Sequence, residues 1–158
     1  MSETSLFNWR NAAVRRERYH EPLVARLTSD NKSIFQYNKD LMVFAALVGF
    51  SHSEKRPLSG DCIDIILDTY STDQKDGFIY LLGLLETKDP KVLKDNNLKD
   101  CIRVFEEYCN AGLYVITDWL SSEPGDPNGI DTLLKKIYEN MPAVEAREIE
   151  EEDLDIEF

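Results

Sequence analysis

The sequence predicts an all-α fold: a single compact domain of about six or seven helices followed by an acidic, disordered C-terminal tail. Three observations carry this. Apolar residues recur at three- and four-residue steps in several separate segments, which is the period of a helix with one buried face. No segment alternates apolar and polar residues convincingly enough to read as a strand. The chain has 158 residues, 42% hydrophobic and 30% charged, which suits one globular domain with a real core rather than a disordered chain.

Residues 1–20 form a basic N-terminal segment holding Arg10, Arg15, Arg16 and Arg18, in which Ala12, Ala13 and Val14 favour a helix weakly. The helical domain covers 21–141. Pro22 fits the first turn of a short helix that turns Leu23, Val24 and Leu27 inward. Lys39–Phe50 is the clearest core helix, with Asn38 as its N-cap and Gly49 as its C-terminal stop. Leu41, Phe44, Ala45 and Val48 line one face and Met42, Ala46 and Leu47 the other, so this helix is central.

A polar loop, 51–60, leads to a short helix over Asp61–Tyr70, where Ile63, Ile66, Leu67 and Tyr70 share a face. Phe78–Leu85 is a second strongly apolar segment whose length with its flanks argues helix, a buried strand being the alternative for so short a run, and Asp89-Pro90 caps and opens another short helix. The longest helix runs from Leu98 to Leu120 through Ile102, Phe105, Cys109, Leu113 and Ile116, with Gly112 marking close packing or a bend. After a loop rich in Pro and Gly, Asp131–Met141 turns Leu133, Leu134, Ile137 and Tyr138 inward. The acidic tail is 142–158.

Charge is distributed unevenly. The net charge is −12, yet residues 1–60 carry nine Lys/Arg against six Asp/Glu, a net of +3, and the remainder nets −15. An acidic body repels a phosphate backbone, which argues against nucleic-acid binding over the whole surface. Only Arg10, Arg15, Arg16 and Arg18, interleaved with Trp9 and Tyr19, offer a nucleic-acid contact. The competing readings are a solvated cluster or one paired with the protein's own acidic tail.

The usual chemistries find no footing. The two histidines, His20 and His52, lie far apart, and no HxxxH, HExxH or Cys/His cluster suggests a metal. Asp61, Asp64 and Asp68 fall at helical spacing, but a solvated face explains them. Cys62, Cys101 and Cys109 form no CxxC pair and read as reduced thiols, which fits a cytoplasmic protein. Cys109 lies among bulky apolar residues, as an inert core thiol does. Nucleotide-binding loops and a nucleophile elbow are absent from the sequence, so no cofactor is implied and no catalytic residue is assigned. A membrane span needs about 20 apolar residues. The longest apolar run, Leu41–Phe50, is half that.

The tail is the most distinctive terminal feature. Glu145–Phe158 holds eight acids against Arg147 alone, with Leu154, Ile156 and Phe158 between and after the acids. It resembles the acidic C-terminal peptide of bacterial single-stranded-DNA-binding proteins, with Glu157 where proline is usual. Such a peptide steers by charge and anchors through apolar side chains. The bland alternative is a solubilising end.

Two motifs resemble a known family. One is Tyr37-Asn38-Lys39-Asp40-Leu41 leading into Phe44-Ala45-Ala46-Leu47-Val48-Gly49-Phe50, with Arg56-Pro57-Leu58 in the next loop. The other is Phe105-Glu106-Glu107-Tyr108-Cys109-Asn110-Ala111-Gly112-Leu113. Together they frame roughly residues 22–135 and are similar to the fourth family of small proteins associated with bacterial Dnd DNA-phosphorothioation systems. The tail lies outside these motifs. The resemblance implies an accessory, non-catalytic role in phosphorothioation-linked restriction of phage or foreign DNA.

The expected function is an interaction subunit or regulator docking a larger defence ATPase or nuclease subunit. Arg56, Glu106, Glu107, Tyr108 and Asn110 are the expected exposed or half-exposed contacts, and Leu154, Ile156 and Phe158 the tail anchors. A core place for Tyr108 and a local hydrogen bond for Asn110 compete with that assignment. Two other readings remain: an acidic DNA-mimic inhibitor, which needs an unbroken acidic stripe, and an enzyme, which needs a deep pocket joining a histidine to Cys109 or to carboxylates.

Overall fold

A computed structural model describes residues 8–29 and 32–141. Six α-helices dominate: α1 (Glu21–Thr28), α2 (Asn38–Ser51), α3 (Leu67–Ser71), α4 (Asp76–Thr87), α5 (Leu98–Ser121) and α6 (Ile130–Asn140). Short 3₁₀ turns at Trp9–Asn11, Arg18–His20, Pro90–Leu93 and Asp95–Asn97 join them. The all-α expectation holds for the body, with one addition. Two strands, β1 (Ala13–Glu17) and β2 (Cys62–Ile66), pair antiparallel, with Arg15 opposite Asp64. The segment read as weakly helical is therefore β1. The helix expected over Asp61–Tyr70 is a strand that turns into α3, so Asp61, Asp64 and Asp68 do not share a helix face.

α5 is the axis of the molecule. Fourteen of its residues are buried, so partners must surround it on most sides. α2 packs most extensively against it, α4 comes next, and β1 and α6 cover further flanks. The α2–α5 crossing is backbone on backbone. A Cβ on Gly112 would lie 1.7 Å from the Ala45 carbonyl oxygen, and one on Gly49 would lie 2.1 Å from that of Tyr108. The two motif glycines are thus reciprocal contact points. Gly49 does not stop α2, which continues to Ser51.

The core runs along this crossing through Leu41, Met42, Ala45, Phe105, Leu113 and Ile116. Cys109 belongs to it: its thiol faces the Met42 sulfur at 3.6 Å, and burial pushes its pKa up to about 12, as for an inert thiol. Asp126 organises the start of α6 by accepting hydrogen bonds from the Thr132 N–H and hydroxyl, both at 2.8 Å. No helix among the described residues is long and apolar enough to cross a membrane.

Candidate interaction site

The sequence motif on α5 faces inward. Glu106, Tyr108 and Asn110 are 4%, 6% and 3% exposed, which overturns their expected place as surface contacts. Their partners lie about 90 residues away along the chain or on neighbouring elements, where no local pattern could announce them. Glu106 Oε2 accepts from the Arg15 backbone N–H at 2.7 Å and from its Nε at 3.2 Å, clamping β1 onto α5. Burial raises the Glu106 carboxyl pKa, although Arg15 works against that. Tyr108 donates its hydroxyl to Glu86 at 2.6 Å, and Glu86 also holds Lys55.

Asn110 is the centre of a buried polar network. Its Nδ2 donates to Glu17 Oε1 at 2.9 Å and to the Arg56 carbonyl at 3.2 Å. The amide oxygen therefore faces His20, so His20 Nε2 is the donor across the 2.8 Å contact. Glu17 collects the rest. Its Oε1 accepts the Ser59 N–H at 3.0 Å and its Oε2 accepts the Tyr114 hydroxyl at 2.8 Å. Burial alone would raise the Glu17 pKa. The bonds from Ser59, Tyr114 and Asn110, with His20 nearby, outweigh it and hold the carboxyl below its ordinary value.

This network fixes the 56–59 loop and presents Arg56. The Arg56 backbone N–H donates to the Glu107 carbonyl at 3.0 Å, and its guanidinium stacks 3.6 Å from the centre of the Tyr114 ring. Tyr19, 65% exposed, stacks on the same ring. Arg56 is thus an exposed cation held by an aromatic ring, and among the described residues it has no carboxylate partner. The sequence motifs single out Arg56 and Asn110 as surface contacts, whereas Asn110 is buried at the centre of this network. The motifs miss Glu17, His20 and Tyr114, whose only signal was a buried-polar pattern that sequence does not reveal.

His20 is fully buried, and burial lowers its pKa, against the opposing effects of Asn110 and Glu17. The neutral imidazole is therefore the native form, whereas an unfolded chain takes up the proton below the ordinary value of 6.5. Stability should thus fall as pH drops below that value and level off below the folded pKa. In urea unfolding across pH, His20→Gln keeps the donor to Asn110 but should flatten this part of the profile. An unchanged profile would assign the decline to other groups.

The basic cluster is committed internally. Arg16 is buried and bonds Glu21 at 2.5 Å, while Arg18 meets Asp61 at 2.6 Å. Arg15 holds Glu106, and Arg10 approaches Asp68 at 3.5 Å. Only Arg10, Arg15 and Arg18 reach the surface, each beside an acid. Glu107 is half-buried. Leu154, Ile156 and Phe158 lie outside the described residues.

Among the described residues, an apolar face is left uncovered. Ile130, Leu134, Ile137 and Tyr138 recur at i, i+4, i+7 and i+8 along α6, Met141 follows at its C-terminal cap, and all five are 40–72% exposed. Two adjoining hollows, about 390 and 260 Å³, share Phe44 and Ile137 and extend this face onto α2 and Trp119. Leu134, Ile137 and Tyr138, expected to face inward, are instead on the surface; Leu133 alone of that set is buried.

A family model for DNA sulphur modification system-associated protein 4 matches residues 13–155. The chain belongs to this family. The match exceeds the 22–135 framed by the motifs. It takes in β1, whose Glu17 anchors the network, and the acidic segment as far as Asp155, which therefore lies inside the family region. No curated protein and no solved structure matches this associated protein 4 chain.

Proposed function

We propose that this protein is an accessory, non-catalytic interaction subunit of a DNA sulphur modification-linked defence system, docking a larger ATPase or nuclease subunit. The exposed apolar face of α6 and α2 carries this reading. Single surface leucines are ordinary, but a continuous stripe along one helix, bordered by hollows, is the form of a helix-docking surface. Family membership supplies the process. Arg56 and Glu107 are the polar contacts nearest the α5 motif, while Glu106, Tyr108 and Asn110 act as their supports. The acidic segment, through Leu154, Ile156 and Phe158, adds a second, charge-steered contact.

A non-catalytic role also agrees with the polar network. Glu17, His20, Asn110 and Tyr114 could serve acid–base chemistry in an open cleft, but the His20 side chain is 0% exposed. A group that substrate cannot approach does not transfer its proton.

The test uses the full chain and purified components of a DNA sulphur modification system. Leu134→Asp with Ile137→Asp should leave thermal stability nearly unchanged, because both side chains are already exposed. Recovery of the partner should fall at least about tenfold, since a charge in an apolar contact core is costly. Undiminished recovery by the double variant, or no component retained by the wild type, would overturn the reading. Truncation after Pro142 separately measures the acidic segment.

A further inference from the structure

We propose that the outer edge of β2 binds an extended peptide segment of a partner protein by strand addition, with a basic residue of that segment facing Asp64. This surface is separate from the α6 face, and its test is independent of the docking reading above.

The register decides which backbone groups are free. Arg18 N–H donates to the Asp61 carbonyl at 2.9 Å and Leu67 N–H to the Ala12 carbonyl at 2.8 Å, bracketing the two strands. The bonded partners are therefore the odd-numbered residues of β2, Ile63 and Ile65, against Arg16 and Val14. The N–H groups of Cys62, Asp64 and Ile66, with the Cys62 and Asp64 carbonyls, point away from β1. The Ile66 carbonyl is placed to open α3.

The two edges of this small sheet are treated differently. Glu106 covers the outer edge of β1 by accepting the Arg15 N–H. β2 packs chiefly on β1 and on α3, which follows it, and among the described residues no other element packs extensively against it. Asp64 and Ile66 are exposed, Ile66 to 49%. At the end of this edge a cleft of about 610 Å³ opens between the start of α2 and α3, lined by Ile65, Ile66, Tyr37 and Thr69 among others. An uncovered row of backbone donors and acceptors beside an open cleft is the geometry that accepts an added strand.

Charge selects the occupant. Asp64 lies at the centre of the edge and has no ion pair among the described residues, because Arg15 opposite it turns its guanidinium to Glu106. A second copy pairing antiparallel through this edge, centred on Asp64, would set two aspartates face to face, which is unfavourable. The chain's own acidic segment, with Asp153, Asp155 and Glu157, meets the same repulsion. A foreign strand with Lys or Arg opposite Asp64 and an apolar residue toward Ile66 gains on both counts.

The test follows amide hydrogen exchange of the full chain with synthetic peptides of roughly seven to nine alternating Thr/Val residues, carrying Lys or Asp at the centre. The Lys-centred peptide should slow exchange at Cys62, Asp64 and Ile66 and leave the already bonded Ile63 and Ile65 unchanged. The Asp-centred peptide should bind at least about tenfold more weakly, a difference of about 1.4 kcal/mol. N-methylating alternate peptide amides should abolish binding. Asp64→Lys should reverse the preference, and Asp64→Asn should erase it if the charge reversal perturbs folding. Absence of the alternating protection pattern with every peptide overturns the proposal. So does protection that grows with protein concentration alone, which assigns the edge to a second copy, or protection lost on truncation after Pro142, which assigns it to the chain's own end.

Discussion

Gly112→Ala should be among the most damaging single-methyl changes in this protein. The added Cβ would meet the Ala45 carbonyl oxygen at 1.7 Å and its carbon at 2.6 Å. Neither atom belongs to a side chain that can rotate away, so relief requires α2 and α5 to separate. That separation would loosen the crossing on which the core depends. A cost of about 3 kcal/mol or more is expected, against a total stability of about 5–15 kcal/mol for a domain. Trimming the neighbouring side chain with Ala45→Gly should not rescue it, because the obstacle is backbone. Gly83→Ala offers a contrast: its Cβ meets the Cys101 sulfur at 2.5 Å, so adding Cys101→Ala should recover part of the loss. Thermal and urea unfolding of the four variants would check this. A Gly112→Ala protein within about 1 kcal/mol of wild type would mean that the helices cross less closely than described.

That glycine also marks how far the sequence could be read. α2, α4 and α5 were legible because each buries a face at helical spacing, and α6 because its apolar residues repeat at that spacing, which is a local property whether or not the face is covered. β1 and β2 were not. Ile63, Ile66, Leu67 and Tyr70 fall at i, i+3, i+4 and i+7, so the period of a helix is present where a strand forms. What overrides it is pairing with residues nearly fifty positions earlier, together with the β-branched Ile63, Ile65 and Ile66, which fit a pleated surface. Gly112 was legible as a sign of close packing, but its contact with Ala45 was not.

The contact residues follow the same rule. Glu106 and Asn110 read as surface groups because isolated charged and amide side chains are usually solvated. Both are buried because α5 is covered on nearly every side and its polar residues find distant partners on β1 and the 56–59 loop. The α6 stripe errs in the opposite direction. An amphipathic pattern says that a helix has an apolar face and does not say whether this chain or another covers it.

Glu17→Ala should produce the second large effect, and its pattern tests the polar network directly. The substitution leaves the Ser59 N–H, the Tyr114 hydroxyl and one Asn110 amide bond without their acceptor in a buried site. Each such loss costs about 1–3 kcal/mol, and removing one charged member of a buried cluster about 3–5 kcal/mol. Glu17→Gln should cost less, about 1–2 kcal/mol, because the amide oxygen still serves Ser59 and Asn110 while the Tyr114 hydroxyl rotates to accept from the amide nitrogen. Exchange at two neighbouring amides separates loss of the network from general loosening. Ser59 N–H depends on Glu17 and should exchange faster in Glu17→Ala. Arg56 N–H donates to the Glu107 carbonyl and should remain protected. Equal acceleration at both would make Glu17 a general stabiliser rather than the anchor of the loop. The pH dependence gives a further sign. The native Glu17 carboxyl lies below its ordinary value of 4.5, so its contribution is complete above that value and fades as pH falls through the folded pKa. In Glu17→Ala that part of the acid unfolding limb should disappear, while the His20 limb, beginning near 6.5, should persist and deepen, because the lost carboxylate no longer raises the imidazole pKa against burial.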